Sequence, residues 1–451
     1  MRFRSFSPRG RTRSLAAALL VAVVLAREAS AERLLLEGTV VTPDRVLSPG
    51  WVEIDNGRIT VVHETRPSAK HAQSVATGGI IFPGLVDLHN HVPWNIFPRW
   101  APPRHFSSRY EWRRDPFYRA KIVAPFNALR ETVFCDMNLY GELRALAGGT
   151  TSVVGTRNAD CIKGLVRNLD HDSGFYGRLD SDGQHLWNSV NLPNERELKE
   201  LVPTMAKARF EAYLVHAAEG VDEQSRGEFA TLDRQGLLAA RTAIVHGLAL
   251  GPAEFRIMQE RNVALVWSPR CQMELYGRTT DVAAALAAGV EVALGPDWAL
   301  TGSATLLEEL GYAWRWAQAQ PEPRLTPAQL VAMATTTAAH IAGVDDEVGA
   351  IRAGLRADLL VIAGDATRPH EALVTASPAA VQLVMIEGEA VYGDAAWLER
   401  AGLATGFAPL PDVAGKAVKL PAGTTYAAVR DRLQRALEPH GVQLAPLVET
   451  R

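Results

Sequence analysis

Between residues 80 and 342 the chain repeats one unit, a short apolar run followed by a helical stretch. Thr150–Gly155 follows a helical segment that ends at Gly148-Gly149. Phe210–His216 follows the helical run 195–209, and Arg241–His246 comes next. Asn262–Trp267 follows a helix at 252–261, and Val290–Gly295 follows the alanine-rich stretch 281–288. Runs this short, bounded by Gly and Pro, have the length and composition of buried strands. Strands separated by helices cannot pair through tight hairpins. They need crossovers, which lay them parallel in a sheet covered by helices. The most economical arrangement is an α/β fold built on a (β/α)8, or TIM, barrel, with its third and fourth strands inside Leu165–Val190.

The flanks read differently. Leu34–Val41, Trp51–Ile54 and Arg58–Val62 alternate as strands, the last two joined by Asp55-Asn56-Gly57, an Asn-Gly hairpin turn. After the helix at 327–342, Ala357–Ile362 and Val381–Tyr392 are again β-like. We assign residues 32–78 and 345–405 to a composite β-sandwich domain formed by N- and C-terminal segments. The barrel, 79–344, is inserted between its halves. Residues 406–451 form a C-terminal extension with one helix over Tyr426–Leu437.

At the N-terminus, Arg2, Arg4, Arg9, Arg11 and Arg13 precede an apolar run, Leu15–Ala26, and the small residues Ala29-Ser30-Ala31. This is the pattern of a secretory signal peptide, residues 1–31; the run is short for a spanning helix. Its removal leaves 41 basic against 49 acidic side chains, a formal charge of −8. The expected product is an exported protein, periplasmic or extracellular, with no stable membrane insertion and no nucleic-acid partner. A small-molecule substrate is expected, and a homo-oligomer is compatible with the sequence. The cysteines Cys135, Cys161 and Cys271 have neither the number of a disulfide framework nor a zinc-finger spacing.

Chemistry-bearing residues recur at the strand ends. Phe82–Leu88 is an apolar run that leads into His89-Asn90-His91. Residues i and i+2 of a strand share a face, so both imidazoles can aim at one point. His216 ends a later strand, with Glu219 three residues on. His246 ends the next, and Asp297 follows Leu294-Gly295-Pro296 after the last. Any one of these is as compatible with a structural role as with a functional one. In a (β/α)8 barrel, however, all strand C-termini open on one face, so the set would meet in space.

These pieces together resemble the amidohydrolase superfamily, in the branch of cytosine deaminases, guanine deaminases and chlorotriazine hydrolases. The matching segments are Pro83–His91, His216-Ala217-Ala218-Glu219, Val245-His246-Gly247, Leu294–Trp298 and the later Gly349–Val361. The resemblance covers roughly residues 33–400. It implies one divalent metal, zinc or alternatively Fe2+, held by His89, His91, His216 and Asp297. Asp297, Glu219 and His246 would be catalytic. Asp297 would take a proton from water, Glu219 would pass one to the leaving or ring nitrogen, and His246 would polarise the developing oxyanion. No lysine falls where a carbamate bridging two metals is expected, near the fourth strand; Lys163, Lys199 and Lys207 are misplaced for it.

One departure concerns Trp267-Ser268-Pro269-Arg270-Cys271-Gln272, where this branch often carries His-x-Pro-x-Ser-Asn. Ser268 and Gln272 replace the histidine and asparagine, which argues against a purine or pyrimidine substrate. The stretch 92–126 interleaves nine aromatic residues with six arginines. It can serve as a lid that stacks on an apolar substrate and pairs with a carboxylate, or it can pack on its own barrel. The expected activity is hydrolysis of a non-peptide carbon–nitrogen bond, by a deaminase or a cyclic or linear amidase. The alternatives are a catalytically silent metal- or ligand-binding protein, and a carbon–halogen or ester hydrolase on the same site.

Overall fold

The computed structural model describes residues 33–68, 72–155, 161, 164–170, 186–206, 212–321 and 325–449. The signal peptide assigned to residues 1–31 lies outside them, as do Lys163 and Lys207. Four strands open the chain: β1 (Arg33–Val41), β2 (Val46–Asp55), β3 (Arg58–His63) and β4 (Ala72–Pro83). Eight short strands follow: β5 (Leu85–Asp87), β6 (Thr150–Val153), β7 (Arg167–Asn168), β8 (Leu186–Ser189), β9 (Ala212–Ala217), β10 (Thr242–His246), β11 (Ala264–Trp267) and β12 (Val292–Leu294). The last five are β13 (Leu359–Ile362), β14 (Val381–Ile386), β15 (Glu389–Asp394), β16 (Phe407–Pro409) and β17 (Lys416–Lys419).

The two β-rich flanks run in one continuous nine-stranded sheet, ordered β16-β17-β15-β14-β13-β4-β1-β2-β3. The Asn56-Gly57 turn joins β2 to β3 as the hairpin signal requires, with both residues at positive φ. The hinge of the sheet is β4. It pairs parallel with β1 on one side and antiparallel with β13 on the other, so Ile80 lies opposite Ile362. Leu36, Val52, Ile81, Val361 and Leu383 form a buried layer on it.

The eight middle strands pair parallel, as the alternating pattern requires, in two arcs: β5-β6-β7 and β8-β9-β10-β11-β12. The uncertain third and fourth strands are β7 and β8, both inside Leu165–Val190. An isolated parallel bridge, Asn90 to Asp297, joins the end of the first arc to the end of the second. Its hydrogen bonds run from the Asp297 amide to the His89 carbonyl (2.9 Å) and from the His91 amide to the Asp297 carbonyl (2.8 Å). Strand faces alternate as the period-2 pattern demands. Leu214, Val245 and Val266 share one buried layer, while Val215, Ile244 and Leu265 belong to another. The tail helix Tyr426–Leu437 falls where its pattern places it.

One expectation fails. Cys135 and Cys161, 26 residues apart, form a disulfide. Two bonded cysteines separated by most of the helix Phe134–Ala147 and by β6 leave no spacing signature, and only the fold brings them together.

Candidate active site and metal centre

The strand ends converge. The His89 and His216 Nε2 atoms lie 3.1 Å apart, and Asp297 Oδ1 lies 3.3 Å from Nε2 of both His89 and His91. Ligand atoms of His89, His216 and His246, and those of His89, His91 and Asp297, fall within 4.8 Å of one another. All six residues singled out in the sequence, Glu219 included, are therefore in one cluster. The rings of His89 and His246 are 4.7 Å apart, and His246 Nε2 is 3.6 Å from Glu219 Oε2.

The cluster fits a divalent cation. The Ser189 carbonyl, 3.1 Å from His216 Nδ1, can only accept, so the imidazole proton sits on Nδ1 and Nε2 presents a lone pair. Burial pushes His91 and His246 down to about 4 and His216 well below its ordinary value, so these rings are neutral rather than cationic at pH 7. Burial works to raise Asp297, but His89, His91 and His246 outweigh it and hold the carboxyl well below its ordinary range. Convergent imidazole lone pairs around one carboxylate, with no thiolate among them, suit zinc or ferrous iron. The fourth parallel strand, Leu186–Ser189, carries no lysine.

Local backbone geometry aims these side chains. In the β9–β10 register Val245 stands opposite His216, so strand alternation alone would turn His246 to the far face. His246 instead has φ 75°, in the left-handed region, and its ring swings to within 5.3 Å of the His216 ring. Such strain persists only where the surroundings enforce it. Here the Gln272 amide (3.0 Å) and the Thr280 hydroxyl (2.7 Å) both donate to the His246 carbonyl. Ala218 (φ 54°) and Asp297 (φ 67°) are left-handed too. Gly295 permits the close passage of β12 over the first histidine, since a Cβ there would lie 2.6 Å from His89 Cβ.

Ser268 and Gln272 therefore do not face a substrate. Ser268 Oγ is 2.7 Å from His89 Nδ1 and orients that ring, while Gln272 braces His246 from behind. The argument they gave against a purine or pyrimidine has no footing. Sequence reasoning also missed Arg109 and Glu228. Arg109 donates to the carbonyls of His216 (3.0 Å) and Val190 (3.2 Å) and to Glu228 Oε1 (2.9 Å); Glu228 Oε2 accepts the Ala218 amide (2.7 Å). This buried ion pair clamps the turn that carries His216 and Glu219. Arg109 was only one of six loop arginines, and no local signal sets it apart.

Over the cluster lies a cavity of about 770 Å3, with His91, Glu219 and Asp297 on its floor. Trp94, Trp112, Tyr118, Phe126 and Trp298 are among its walls. The 92–126 stretch packs on its own barrel and also walls the cavity. Phe97, Trp100 and Phe106 pack into the core. Trp94 and Phe126 stack with ring centroids 3.6 Å apart at the cavity edge, and Trp112 packs on Trp298 at 5.6 Å. Of the arginines, Arg109 is buried under the site, Arg104 pairs with Glu111, and Arg113, a cavity residue, donates to Asn191 Oδ1 (2.9 Å). Cys271 is buried against Thr301 Oγ1 at 3.1 Å, and burial pushes its thiol well up, which disfavours a thiolate nucleophile.

Residues 195–391 match the amidohydrolase family. A 5-methylthioadenosine/S-adenosylhomocysteine deaminase of Syntrophobacter fumaroxidans is 26% identical over 387 residues, 75% of this chain and 86% of that protein. Among solved structures, a zinc-bound adenosine deaminase from Xanthomonas campestris superposes with a TM-score of 0.66 at 19% identity, over 90% of this chain and 98% of that one. A mutant atrazine chlorohydrolase from Arthrobacter aurescens TC1, complexed with zinc and atraton, gives 0.66 at 18% identity, over 90% and 100%. At these identities the structural likeness speaks for the fold, which in these neighbours spans nearly the whole chain. The sequence motifs, the family match and the relatives agree that residues 195–391 carry an amidohydrolase-family domain.

Proposed function

We propose that the chain is a metal-dependent hydrolase of non-peptide carbon–nitrogen bonds, acting as a deaminase on an aminoheterocycle. The observation that carries this reading is the placement of Glu219 and His246 beside the His89-His91-His216-Asp297 cluster, at the floor of an aromatic-walled cavity. We take the eight parallel strands as a closed (β/α)8 barrel, a reading supported by the Asn90–Asp297 bridge between the two arcs.

His89, His91, His216 and Asp297 would hold the ion, zinc by preference and Fe2+ as the alternative. A bound divalent ion supplies Lewis-acid activation of water near neutral pH. In the overall change the C–O bond forms from water and the C–NH2 bond of an amidine-like carbon breaks. The two protons that water loses end on the departing ammonia and on the ring nitrogen. Asp297, ionised at pH 7, accepts the first of them. Burial works to raise Glu219, but His246, Arg109 and Arg113 outweigh it and hold the carboxyl below its ordinary range. Glu219 therefore begins ionised and must take up a proton before it can deliver one to nitrogen. His246 is placed to meet the oxygen on which charge develops, and its Nδ1 is buried with no protein partner among the described residues.

We further place the protein outside the cytoplasm. The arginine-led apolar segment before Glu32 supports this, and so does the Cys135–Cys161 disulfide, since such bonds persist in oxidising compartments.

The test is ammonia release by zinc-loaded protein from 5-methylthioadenosine, S-adenosylhomocysteine, adenosine, guanine and simple primary amides, with lactam ring opening followed through the new amine it exposes. Release is expected from at least one aminoheterocycle and is lost in Asp297→Asn. His216→Ala should lose its zinc. Stoichiometric zinc with no release from any compound would leave a binding protein and end this reading.

A further inference from the structure

The substrate-side stretch and the proton-transfer carboxylate are joined by a hydrogen-bond chain whose direction is fixed. The Trp112 indole N–H donates to the Tyr276 hydroxyl at 2.8 Å, and the Tyr276 hydroxyl lies 2.7 Å from Glu219 Oε1. An indole nitrogen can only donate, so the phenol oxygen accepts from Trp112 and must send its single proton to Glu219. Both donors are buried. Tyr276 closes the helix Pro269–Tyr276, which begins right after Ser268, the residue that orients His89.

Trp112 belongs to the single helical turn Arg109–Trp112. The same turn holds the main chain of Glu219. The Arg109 amide donates to the Glu219 carbonyl (3.1 Å), and the Arg109 guanidinium holds the His216 carbonyl (3.0 Å). One turn of the stretch that walls the cavity thus fixes Glu219 twice, at its backbone directly and at its carboxylate through Tyr276.

We propose that Tyr276 and Trp112 are positioning residues for Glu219. Tyr276 fixes one carboxylate oxygen, so that Oε2, the oxygen next to His246, is the one that exchanges protons with the reacting molecule. Trp112 fixes Tyr276, so the carboxylate is aligned only when the Arg109–Trp112 turn is seated. The inference rests on the role given to Glu219 above.

Two measurements test it. The first uses the best substrate of the panel. Tyr276→Phe is expected to lower kcat roughly 10–100-fold, part of the ~10²–10⁴ that a placed proton-transfer group contributes, with KM and zinc content unchanged. Trp112→Phe leaves the Tyr276–Glu219 bond in place and is expected to lose less. In a Glu219→Gln background Tyr276→Phe should cost nothing more, because it acts only through that carboxylate. The second measurement needs no substrate. The indole N–H resonance absent from Trp112→Phe should exchange slowly in the wild type and at least 10-fold faster in Tyr276→Phe.

A Tyr276→Phe enzyme with wild-type kcat, or with the same loss in both backgrounds, overturns the proposal. So does an unchanged Trp112 exchange rate. With a wild type inert on every compound, the proposed reaction itself fails, and the exchange rates alone decide this inference.

Discussion

Removing the Arg109 guanidinium should damage stability and metal binding together. Arg109 and Glu228 are 1% and 4% exposed, so neither charge has water to fall back on. Arg109→Met keeps most of the aliphatic volume and strands Glu228 as a buried carboxylate whose remaining partners are the Ala218 amide and the Tyr110 hydroxyl. Breaking a buried pair from one side costs about 3–5 kcal/mol, most of it the penalty on the surviving charge. The same change frees the His216 carbonyl, and loss of an orienting partner of a ligand lowers metal affinity by roughly 10–100-fold. Urea unfolding followed by tryptophan fluorescence gives the first quantity, and zinc competition against a chelator gives the second. The double variant Arg109→Met/Glu228→Gln removes the stranded charge and should recover at least half of the stability but not the zinc affinity. A single variant that loses less than ~1 kcal/mol and binds zinc like the wild type would show that the pair does not clamp the His216–Glu219 turn, and the reasoning would be refuted.

Gly295→Ala should expel zinc while leaving most of the fold, because its Cβ would sit 2.6 Å from His89 Cβ; zinc content after dialysis checks this. Glu142 is fully buried, and burial pushes its carboxyl up to about 7 against the opposing Leu165 and Val166 amides. The folded state therefore favours the protonated form. That stability is fully present below the ordinary carboxyl value near 4.5 and is lost as pH rises toward 7. Wild type measured against Glu142→Gln should lose roughly 3 kcal/mol across that window, and a flat difference would contradict the assignment. Reducing the Cys135–Cys161 bond, or Cys135→Ser, should cost about 3.5 kcal/mol from a loop of 26 residues, read as a lower unfolding midpoint in reductant.

What the sequence made legible was whatever repeats locally. Strand and helix periods placed six of the eight parallel strands and only bracketed the third and fourth within Leu165–Val190, and the habit of parallel sheets to open at their C-terminal edge placed His89, His91, His216, His246 and Asp297 together. What it hid was adjacency across long separations. Ser268 meets His89 across 179 residues, Arg109 meets Glu228 across 119, and Tyr276 meets Glu219 across 57. No period marks such pairs. His246 was legible as a residue but not as a conformation, because its inward turn depends on a left-handed φ that Gln272 and Thr280 enforce from another helix and loop.

The nine-stranded sheet has a consequence for the order of events during synthesis. Its hinge strand, β4, is made early, yet its antiparallel neighbour β13 lies some 280 residues downstream. Until that neighbour emerges, Ile80, Ile81 and Phe82 form an open apolar edge, and no early segment can close the sheet alone. Completion of the nine-stranded sheet therefore waits on a late segment, although β1, β2, β3 and β4 can pair with one another as soon as they are made.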